Sequence, residues 1–398
     1  MAKSRGRGPT LAKDMNRLAL YRQIKRQRVA TRAELARRLE LNKNTVGAIV
    51  DELIRAGYVR ETGPQTTGGA GRNPRGIEFH AANKWAIGAQ VTADALHLAA
   101  ADLYGEPLAT RTVPLGEHTP DAVADALALA AEALLREHGA GAACIGMGIG
   151  VPALLDEARA AVLRSSHLGW SEVPLAAMLQ PRVPVPLLFD NSVKLSTLGE
   201  AERGAGAGCA DFVYAHFGGG VGCGIIAGGA LVRGQTNAAG ELGHIALLSD
   251  GPLCSCGNRG CLETLVSVPA LTSRIGARAG VPAETVTMPW IVARLASGDT
   301  EVASVMEEAG KRIGQALGAL AAILNPRLIV CDGSLMEAAA YLFPIIRGEM
   351  ERCGIPASAR QAALVRSSLT PWAGALGAAA AVIRGWEDTI DPLALVTD

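Results

Sequence analysis

The residues best suited to metal chemistry in this 398-residue chain are one histidine and three cysteines that lie close together: His244, Cys254, Cys256 and Cys261. Three thiolates and one imidazole form a tetrahedral ligand set that suits Zn²⁺. Gly257 and Gly260 allow the loop to fold back, so that all three sulfurs face one point. The segment offers no obvious fifth ligand, so we predict a closed, structural zinc site rather than a catalytic one. Buried free cysteines are the alternative.

The remaining cysteines and the apolar pattern bear on the compartment of the protein. Five of the eight cysteines are scattered along the chain, which is not the pattern of a disulfide framework. No apolar run reaches the ~18 residues that a membrane span needs. The basic segment Met1–Lys13 is not followed by an apolar stretch, so it does not resemble a secretory signal. We therefore expect a cytoplasmic protein without a membrane partner.

Residues 14–56 carry the periodicity of three short helices. Thr31 can N-cap the second helix, and Glu34, three residues later, completes a capping box. Asn42 is a good N-cap for the third helix. A three-residue turn between the second and third helices is typical of helix-turn-helix proteins, whose second helix of the pair enters the major groove of DNA. The predicted helices are Asp14–Gln27, Arg32–Leu39 and Lys43–Ala56.

Two strands joined by a glycine-rich tip follow these helices and predict a wing. Arg72 and Arg75 in this tip fit a narrow minor groove. At the start of the third helix, Lys43 and Asn44 are expected to reach base edges, and Thr45 to meet phosphate. The predicted strands are Tyr58–Glu61 and Gly76–Phe79. The predicted DNA-contacting residues are Thr31, Arg32, Asn42, Lys43, Asn44, Thr45, Arg72 and Arg75.

Charge is distributed unevenly along a chain whose net charge is zero. Residues 1–80 contain 17 lysines and arginines against 7 aspartates and glutamates, whereas the remainder contains 21 against 31. A solvated basic tail and a small helical scaffold are the alternatives to a DNA reader here. The positive charge lies within a pattern rich in Leu and Ile, which favours an ordered surface that faces phosphate. We predict a DNA-binding domain over residues 1–80 and further structure from residue 86 onward.

Two stretches resemble known families. Residues 31–61, TRAELARRLELNKNTVGAIVDELIRAGYVRE, are similar to the winged helix of bacterial sugar regulators. The run GELGHIAL…CSCGNRGCLE, which begins at Gly240, resembles the signature of the ROK family of repressors, open reading frames and sugar kinases, over roughly residues 86–385. The resemblance implies an α/β fold: a winged helix-turn-helix followed by a two-lobed, actin-like ATPase (ribonuclease H-like) sugar-kinase fold. Residues 86–398 would then form a ligand-sensing and dimerisation domain.

The resemblance also implies where a sugar kinase would carry its catalytic groups. Ser192 stands at the position of the family's catalytic aspartate, and an unassisted serine hydroxyl cannot act as that base. Asp190, two positions earlier, would need a local bulge to replace it. The second phosphate turn, Phe217–Gly224, keeps its glycines, but other nucleotide-handling positions are altered. These altered positions are Gln90, Thr92 and Asp332. We therefore predict that the protein is not an enzyme; a bifunctional sugar kinase that also binds DNA is the alternative.

The positions that match the family's sugar contacts are largely kept. They are Asn191, Glu241, His244 and Glu263, with Ser166 in a loop that lies beside the sugar in relatives. Carboxylates and amides suit a polyol, because each can pair with two adjacent hydroxyls. His244 would place one ring nitrogen on zinc and the other toward the sugar.

These features together predict a repressor of carbohydrate-utilisation genes. It would bind double-stranded operator DNA as a homodimer or a dimer of dimers and respond to a small-molecule sugar. A DNA-bound activator, and a repressor whose ligand is a phosphorylated sugar or another protein, are the alternatives that the sequence leaves open.

Overall fold

The N-terminal part of the chain folds as the sequence predicts. The structure is a computed structural model and describes residues 8–64, 74–139, 142–156 and 158–389. Its first elements are α1 (Gly8–Gln27), β1 (Val29–Thr31), α2 (Arg32–Arg38), α3 (Lys43–Arg55), β2 (Val59–Pro64) and β3 (Arg75–Phe79). The three strands form an antiparallel sheet in the order β1-β3-β2. The predicted helices and strands are all present, although α1 begins earlier than expected and β2 extends further.

Local capping explains where α2 and α3 begin. The Thr31 side chain accepts a hydrogen bond from the Glu34 amide, and the Glu34 carboxylate accepts one from the Thr31 amide at 2.9 Å. The Asn42 side chain accepts a hydrogen bond from the Thr45 amide at 2.7 Å. Both caps satisfy amides that the first turn of a helix leaves unpaired. The predicted capping box and the predicted Asn42 cap are therefore confirmed.

The first lobe, residues 84–191, is built on a five-stranded sheet. Strands β11, β7 and β4 run parallel, and β5 and β6 continue antiparallel, in the order β11-β7-β4-β5-β6. A smaller antiparallel sheet, β10-β9-β8, flanks it. The elements are β4 (Lys84–Val91), β5 (Ala95–Asp102), β6 (Pro107–Pro114), α4 (Pro120–His138), β7 (Ala143–Val151), β8 (Leu154–Leu155), β9 (Val162–Ser165), β10 (Trp170–Val173), α5 (Leu175–Leu179) and β11 (Leu187–Asn191).

The second lobe, residues 212–366, repeats this strand order. Strands β12, β15 and β16 run parallel, and β13 and β14 continue antiparallel, in the order β14-β13-β12-β15-β16. Two sheets of matching topology confirm the expected two-lobed, actin-like architecture. The elements from the end of the first lobe are α6 (Ser192–Arg203), β12 (Phe212–Phe217), β13 (Val221–Ala227), β14 (Ala230–Leu231), α7 (Leu262–Val266), α8 (Val268–Ala279), α9 (Met288–Ala296), α10 (Thr300–Leu324), β15 (Leu328–Asp332), α11 (Ala339–Cys353), α12 (Pro356–Gln361), β16 (Ala363–Arg366) and α13 (Ala373–Thr389).

Helix α13 packs against α6, β4 and β7, where small residues allow backbones to approach closely. A Cβ atom added at Gly88 of β4 would lie 1.8 Å from the Ala375 carbonyl oxygen, and one added at Gly377 would lie 1.7 Å from the Leu195 carbonyl oxygen. Any side chain at these positions would push the helix away from the sheet. Helix α13 is therefore held closely between α6 and the first sheet.

The far end of α13 contacts the winged helix. Trp386 lies against Tyr58, with ring centroids 5.6 Å apart. Glu387 accepts hydrogen bonds from the Tyr21 hydroxyl at 2.9 Å and from the Lys25 ammonium at 2.6 Å. Buried side chains of the winged helix, β4, β5 and α13 form one continuous hydrophobic cluster. The N-terminal unit, residues 8–79, is thus packed directly on the two-lobed unit.

None of the helices in the described part of the chain is long and apolar enough to cross a membrane.

Candidate metal centre, ligand cleft and DNA-binding surface

The structure brings the four predicted metal ligands together. One ligand atom from each of His244, Cys254, Cys256 and Cys261 lies within 4.8 Å of all the others. The His244 Nδ1 atom is 3.5 Å from Cys254 Sγ, and Cys256 Sγ is 3.7 Å from Cys261 Sγ. Three sulfurs and one imidazole nitrogen around one point are the donor set of a tetrahedral structural zinc site. The residues present therefore fit Zn²⁺.

The two predicted glycines shape the loop of this centre. Gly257 and Gly260 both adopt positive φ angles, +96° and +65°, which residues with a side chain rarely adopt. A Cβ atom at Gly260 would lie 1.8 Å from the carbonyl oxygen of Leu248. The loop can close around the metal ligands because these positions carry no side chain.

The metal centre positions two carboxylates of the predicted sugar-binding wall. The His244 Nε2 atom faces away from the cysteines and lies 3.9 Å from Glu241 Oε2. Cys261 precedes α7, whose first turn carries Glu263. The Glu263 Oε2 atom accepts a hydrogen bond from the Val221 amide at 3.0 Å and lies 3.9 Å from His167 Nε2. Three of the predicted residues, Glu241, His244 and Glu263, thus lie around the metal loop and the adjoining glycine-rich turn.

Asn191 and the two serines named from the sequence have different surroundings. The Asn191 side chain caps α6 by accepting from the Val193 amide at 2.9 Å, and it donates to the Ala153 carbonyl oxygen at 3.1 Å. Ser192, at the expected base position, is 96% buried at the start of α6. Ser166 is exposed. One amide hydrogen of Asn191 therefore stays free of these contacts, whereas the Ser192 hydroxyl has little access to the cleft.

A cluster of charged side chains that the sequence did not reveal surrounds Asp190. Its fully buried carboxylate contacts Arg233 Nη1 at 2.5 Å and Arg159 Nη1 at 3.3 Å. Asn237 Nδ2 donates to the other carboxylate oxygen at 3.3 Å. The nearby Lys194 ammonium donates to the Asn237 carbonyl oxygen. Lys194, which lies among small and apolar residues of α6, could have indicated this cluster in the sequence. Arg159 and Arg233 lie in loops, where an arginine carries no such indication.

The altered nucleotide-side positions are occupied by contacts within the protein. Gln90 fills space beside α13, since a Cβ atom at Gly374 would lie 2.1 Å from Gln90 Oε1. Thr92 donates to the Asp94 carboxylate and accepts from the Ala95 amide, which closes its own turn. Both side chains are thus engaged with neighbouring groups of the protein.

Asp332, the third altered position, lies in a buried polar cluster. It accepts hydrogen bonds from the Tyr214 and Thr370 hydroxyls, and its Oδ2 atom is 3.9 Å from His216 Nδ1. Burial alone would raise the pKa of Asp332, but the nearby His216 ring and the hydrogen bonds from Thr370 and Tyr214 hold this pKa well below its usual range. Asp332 is thus a negative charge held within this buried cluster.

The predicted DNA-contacting residues divide into exposed and internally bonded groups. Lys43 and Asn44 are exposed at the start of α3. Arg32 bridges Asp51 and Glu61 at 2.7 and 2.6 Å, so its guanidinium is engaged within the domain. Further predicted residues make contacts within the domain: Thr31 and Asn42 as helix caps, Thr45 as the donor to Asn42, and Arg75 in an ion pair with Glu61. Arg72 lies outside the described residues.

Comparison with known proteins gives matches over both parts of the chain. A family model described as ROK family matches residues 86–384, and one described as winged helix-turn-helix DNA-binding matches residues 14–60. The putative xylose repressor of Caldicellulosiruptor sp. strain Rt8B.4 is 30% identical over 80% of this chain and 83% of its own. The N-acetylglucosamine repressor of Escherichia coli O157:H7 is 28% identical over 94% of this chain and 93% of its own.

Solved structures of both a regulator and a kinase are similar to this chain. A ROK family transcriptional regulator, a homologue of the E. coli MLC protein, matches with a TM-score of 0.82 and 25% identity, over 97% of this chain and 99% of its own. A ROK family glucokinase from Streptomyces griseus, in complex with glucose and AMPPNP, matches with a TM-score of 0.65 and 28% identity, over 75% of this chain and 98% of its own. The regulator covers the winged helix as well as the two lobes.

Proposed function

The chain belongs to the ROK family, and from this premise we propose that it is a DNA-binding transcriptional repressor of carbohydrate-utilisation genes that responds to a sugar. The observation that carries the proposal is helix α13, which lies beside Gln90 at one end and contacts the winged helix through Trp386 at the other. Relatives named as xylose and N-acetylglucosamine repressors support a sugar as the effector.

The two-lobed domain binds its ligand, in this proposal, without phosphorylating it. A sugar kinase needs a carboxylate to take the proton of the attacking hydroxyl. Ser192 cannot supply this function, and both carboxylate oxygens of Asp190 are already hydrogen-bonded. The ionised Asp332 would also repel a phosphate. Base and nucleotide site are thus both lost, which supports a domain that senses a sugar rather than reacting with it.

The sugar is bound by groups whose hydrogen-bonding capacity is left free. Glu241 lies beside the outward nitrogen of His244, and Glu263 lies in the first turn of α7, directly after the metal-ligand loop. Asn191 contributes its remaining amide hydrogen, and the exposed Ser166 lies in the adjoining loop. The zinc ion would be held by His244, Cys254, Cys256 and Cys261. It supplies cross-links that fix His244 and the start of α7, a structural function.

DNA is read by the exposed start of α3. Lys43 and Asn44 reach base edges, and Thr45 and Asn42 lie beside the phosphates at the same helix end. Arg32, Arg75 and Thr31 contact DNA only by exchanging their present partners, so we assign them a supporting role. Arg72 in the wing completes the proposed set.

Signal transfer uses helix α13 as a mechanical link. A sugar that closes the cleft changes the packing around α13, and the winged helix moves with Trp386 and Glu387. Such coupling requires only that the ligand binds the two arrangements with different affinity. We further propose a homodimer or dimer of dimers in the cytoplasm, since two readers match two half-sites. Ile323, 78% exposed, and Ile355, 56% exposed, offer an apolar contact on the second lobe.

The test is DNA binding by the full-length chain with and without sugars. A duplex is selected from a random library by the chain itself, and its affinity is measured by fluorescence anisotropy in a panel of mono- and oligosaccharides. Lys43→Ala is expected to weaken binding by about 1–3 kcal/mol, roughly 5- to 150-fold, because it removes a groove contact. The control Lys311→Ala, an exposed lysine on α10, should leave the affinity unchanged.

Two results would overturn the proposal. One is a failure of the chain to bind any duplex at low salt, and the other is a DNA affinity that no carbohydrate changes. A coupled assay for ADP over the same sugars checks the loss of kinase activity. Sugar-dependent ADP release by the wild-type chain would show that the domain is an enzyme after all.

A further inference from the structure

The charge around Asp190 is not balanced. Two guanidinium groups, those of Arg159 and Arg233, contact a single carboxylate oxygen of Asp190. Among the described residues, Asp190 is the only carboxylate that forms an ion pair with either guanidinium group. One arginine would neutralise this buried carboxylate, so the second leaves a surplus positive charge. Neutralising Asp190 requires only one arginine, so it does not explain why two are present.

The two arginines remain open to a ligand. Their side chains are 38% and 37% exposed, although the carboxylate between them is fully buried. Each contacts Asp190 through Nη1, and among the described residues no partner is seen for Nη2 or Nε, so these atoms of the planar fork are available. A guanidinium fork matches the two oxygens of a carboxylate or phosphate group. The surplus charge is therefore exposed in a form that can bind an anion.

The cluster also lies beside the proposed sugar-binding wall. Asp190 directly precedes Asn191, and the Asp190 carboxylate accepts a hydrogen bond from the Asn191 amide at 2.8 Å. Burial lowers the pKa of Lys194, while Asp190 and Glu241 act in the opposite direction, so Lys194 lies close enough to sense both carboxylates. A ligand that contacts Glu241 and Asn191 therefore lies within reach of the arginines.

Arginines from both lobes converge at this point. Arg159 belongs to the hairpin between β8 and β9 of the first lobe, whereas Arg233 follows β14 of the second lobe. An anion that contacts both forks would add a second link between the lobes, beside the ion pair of Arg233 and Asp190. Anion binding would then stabilise the closed arrangement of the lobes.

We propose that the ligand of this cleft is an anionic carbohydrate, either a sugar phosphate or a sugar acid, whose charged group binds between Arg159 and Arg233. This inference rests on the proposed function and specifies the chemical class of its effector. The neutral hydroxyls bind the wall formed by Glu241, Glu263 and Asn191. The charged group of the ligand supplies the contact that spans the two lobes.

The experiment compares neutral and charged forms of the same sugars. Isothermal titration calorimetry of the full-length, zinc-loaded chain is carried out with glucose, glucose 6-phosphate, gluconate and glucuronate, and with N-acetylglucosamine and its 6-phosphate. Inorganic phosphate serves as the anion without a sugar. At least one charged form is expected to bind about tenfold or more tightly than its neutral parent and than phosphate alone. The phosphate and carboxylate arms identify which anion is preferred.

Arginine variants then locate the contact. Arg159→Gln is expected to reduce the affinity for the charged sugar about tenfold and to leave the affinity for its neutral parent unchanged. Arg159→Lys keeps the charge but loses the fork, so it should give an intermediate result even where the glutamine variant folds poorly. Arg182→Gln is the matched control, because Arg182 is 36% exposed and likewise contacts one aspartate, Asp125, through Nη1.

The outcomes separate this inference from the proposed function. Neutral sugars that bind as tightly as their charged forms, or an Arg159→Gln variant that binds the charged form normally, would overturn the anionic ligand while a sugar response remained. A chain whose DNA affinity no sugar changes, neutral or charged, would instead overturn the proposed function itself.

Discussion

Two regions of the two-lobed domain differ in how their polar groups are hydrogen-bonded. We call the region of Thr92 and Asp332 the nucleotide side and the region of Glu241 and His244 the metal side. On the nucleotide side, Asp332 accepts hydrogen bonds from two hydroxyls, and Thr92 closes its own turn. On the metal side, Glu241 is nearly half exposed and the outward nitrogen of His244 lies 3.9 Å from it, beyond hydrogen-bonding distance. The polar groups of the nucleotide side are hydrogen-bonded to other groups of the protein, whereas the metal side keeps hydrogen-bond donors and acceptors available.

This difference bears on which ligand we propose for the domain. A polar group satisfied internally gains nothing by exchanging its partner for a ligand, because one hydrogen bond replaces another. A polar group that faces an open cleft gains a partner when a ligand arrives. This contrast supports the proposal that the domain has given up the nucleotide while keeping a surface for hydroxyl-rich molecules.

Loss of the metal should have the largest effect on the metal side. Cys261→Ser removes one of four zinc ligands, and the loop that fixes His244 and Glu263 loses its cross-link. We expect zinc, measured by elemental analysis, to fall from one ion per chain to near zero, and the sugar response to disappear. A loss of about 3 kcal/mol would lower the Tm of a chain of 398 residues by roughly 4 °C.

The scattered cysteine Cys209 provides the control for this experiment. Cys209→Ser lies outside the metal group and should keep the zinc, the sugar response and Tm. A Cys261→Ser chain that retained its full zinc content would contradict the assignment of the four ligands.

Neutralising Glu263 should have the next largest effect. Glu263→Gln keeps an oxygen that can accept from the Val221 amide, so the fold should persist. The charge that binds sugar hydroxyls is lost, and we expect sugar affinity to fall about tenfold, or roughly 1.4 kcal/mol. Calorimetry with the best sugar measures this change. Glu284→Gln, at an exposed position, is the control, and equal sugar affinities for the two variants would remove Glu263 from the wall.

Local features of the sequence predicted the DNA reader and the metal centre well. The Thr31–Glu34 capping box and the Asn42 cap depend on residues three apart, so their geometry follows once a helix forms. The Cys₃His set lies within a short loop whose two glycines fix its bends. In such cases the chain has few ways to separate the groups.

Contacts between distant residues were not predictable in the same way. Arg159 and Arg233 lie 31 and 43 positions from Asp190. Arg159 meets Asp190 through the packing of the first lobe, and Arg233 reaches it from the second lobe. Tyr214 and Asp332 lie 118 positions apart and meet because β12 pairs with β15. The sequence showed that Asp332 would be unfavourable for a nucleotide, but the donors that hold it depend on sheet register.

Removing the Asp332 carboxylate should destabilise the nucleotide side in a pH-dependent way. The pKa of Asp332 is lower in the folded chain than in the unfolded chain, so its stabilising contribution is full above the unfolded pKa and is lost as pH falls through the folded pKa. Asp332→Asn should therefore cost about 1–3 kcal/mol at pH 7 and progressively less below about pH 4. Thermal unfolding from pH 7 to pH 3 measures this. Asp250→Asn, at an exposed position, is the control, and a pH-independent difference would contradict the charged state assigned to Asp332.

Placing a carboxylate at the expected base position should have the smallest effect, a negligible change in ADP release. The reason is that the proposed loss of the base and the proposed loss of the nucleotide site are independent of each other. Ser192→Asp places a carboxylate at the expected base position, at the start of α6 where a negative charge is favourable. The Asp332 cluster still occupies the nucleotide side, so we expect sugar-dependent ADP release to stay at the level of Ser192→Ala. If Ser192→Asp alone produced ADP with a sugar, the nucleotide side would be functional and its internal hydrogen bonds irrelevant. If ADP release appeared only in the double variant with Asp332→Gly, the buried Asp332 carboxylate would be identified as the obstacle to nucleotide binding. Ser192 and Asp332 would then both be shown to prevent the kinase reaction.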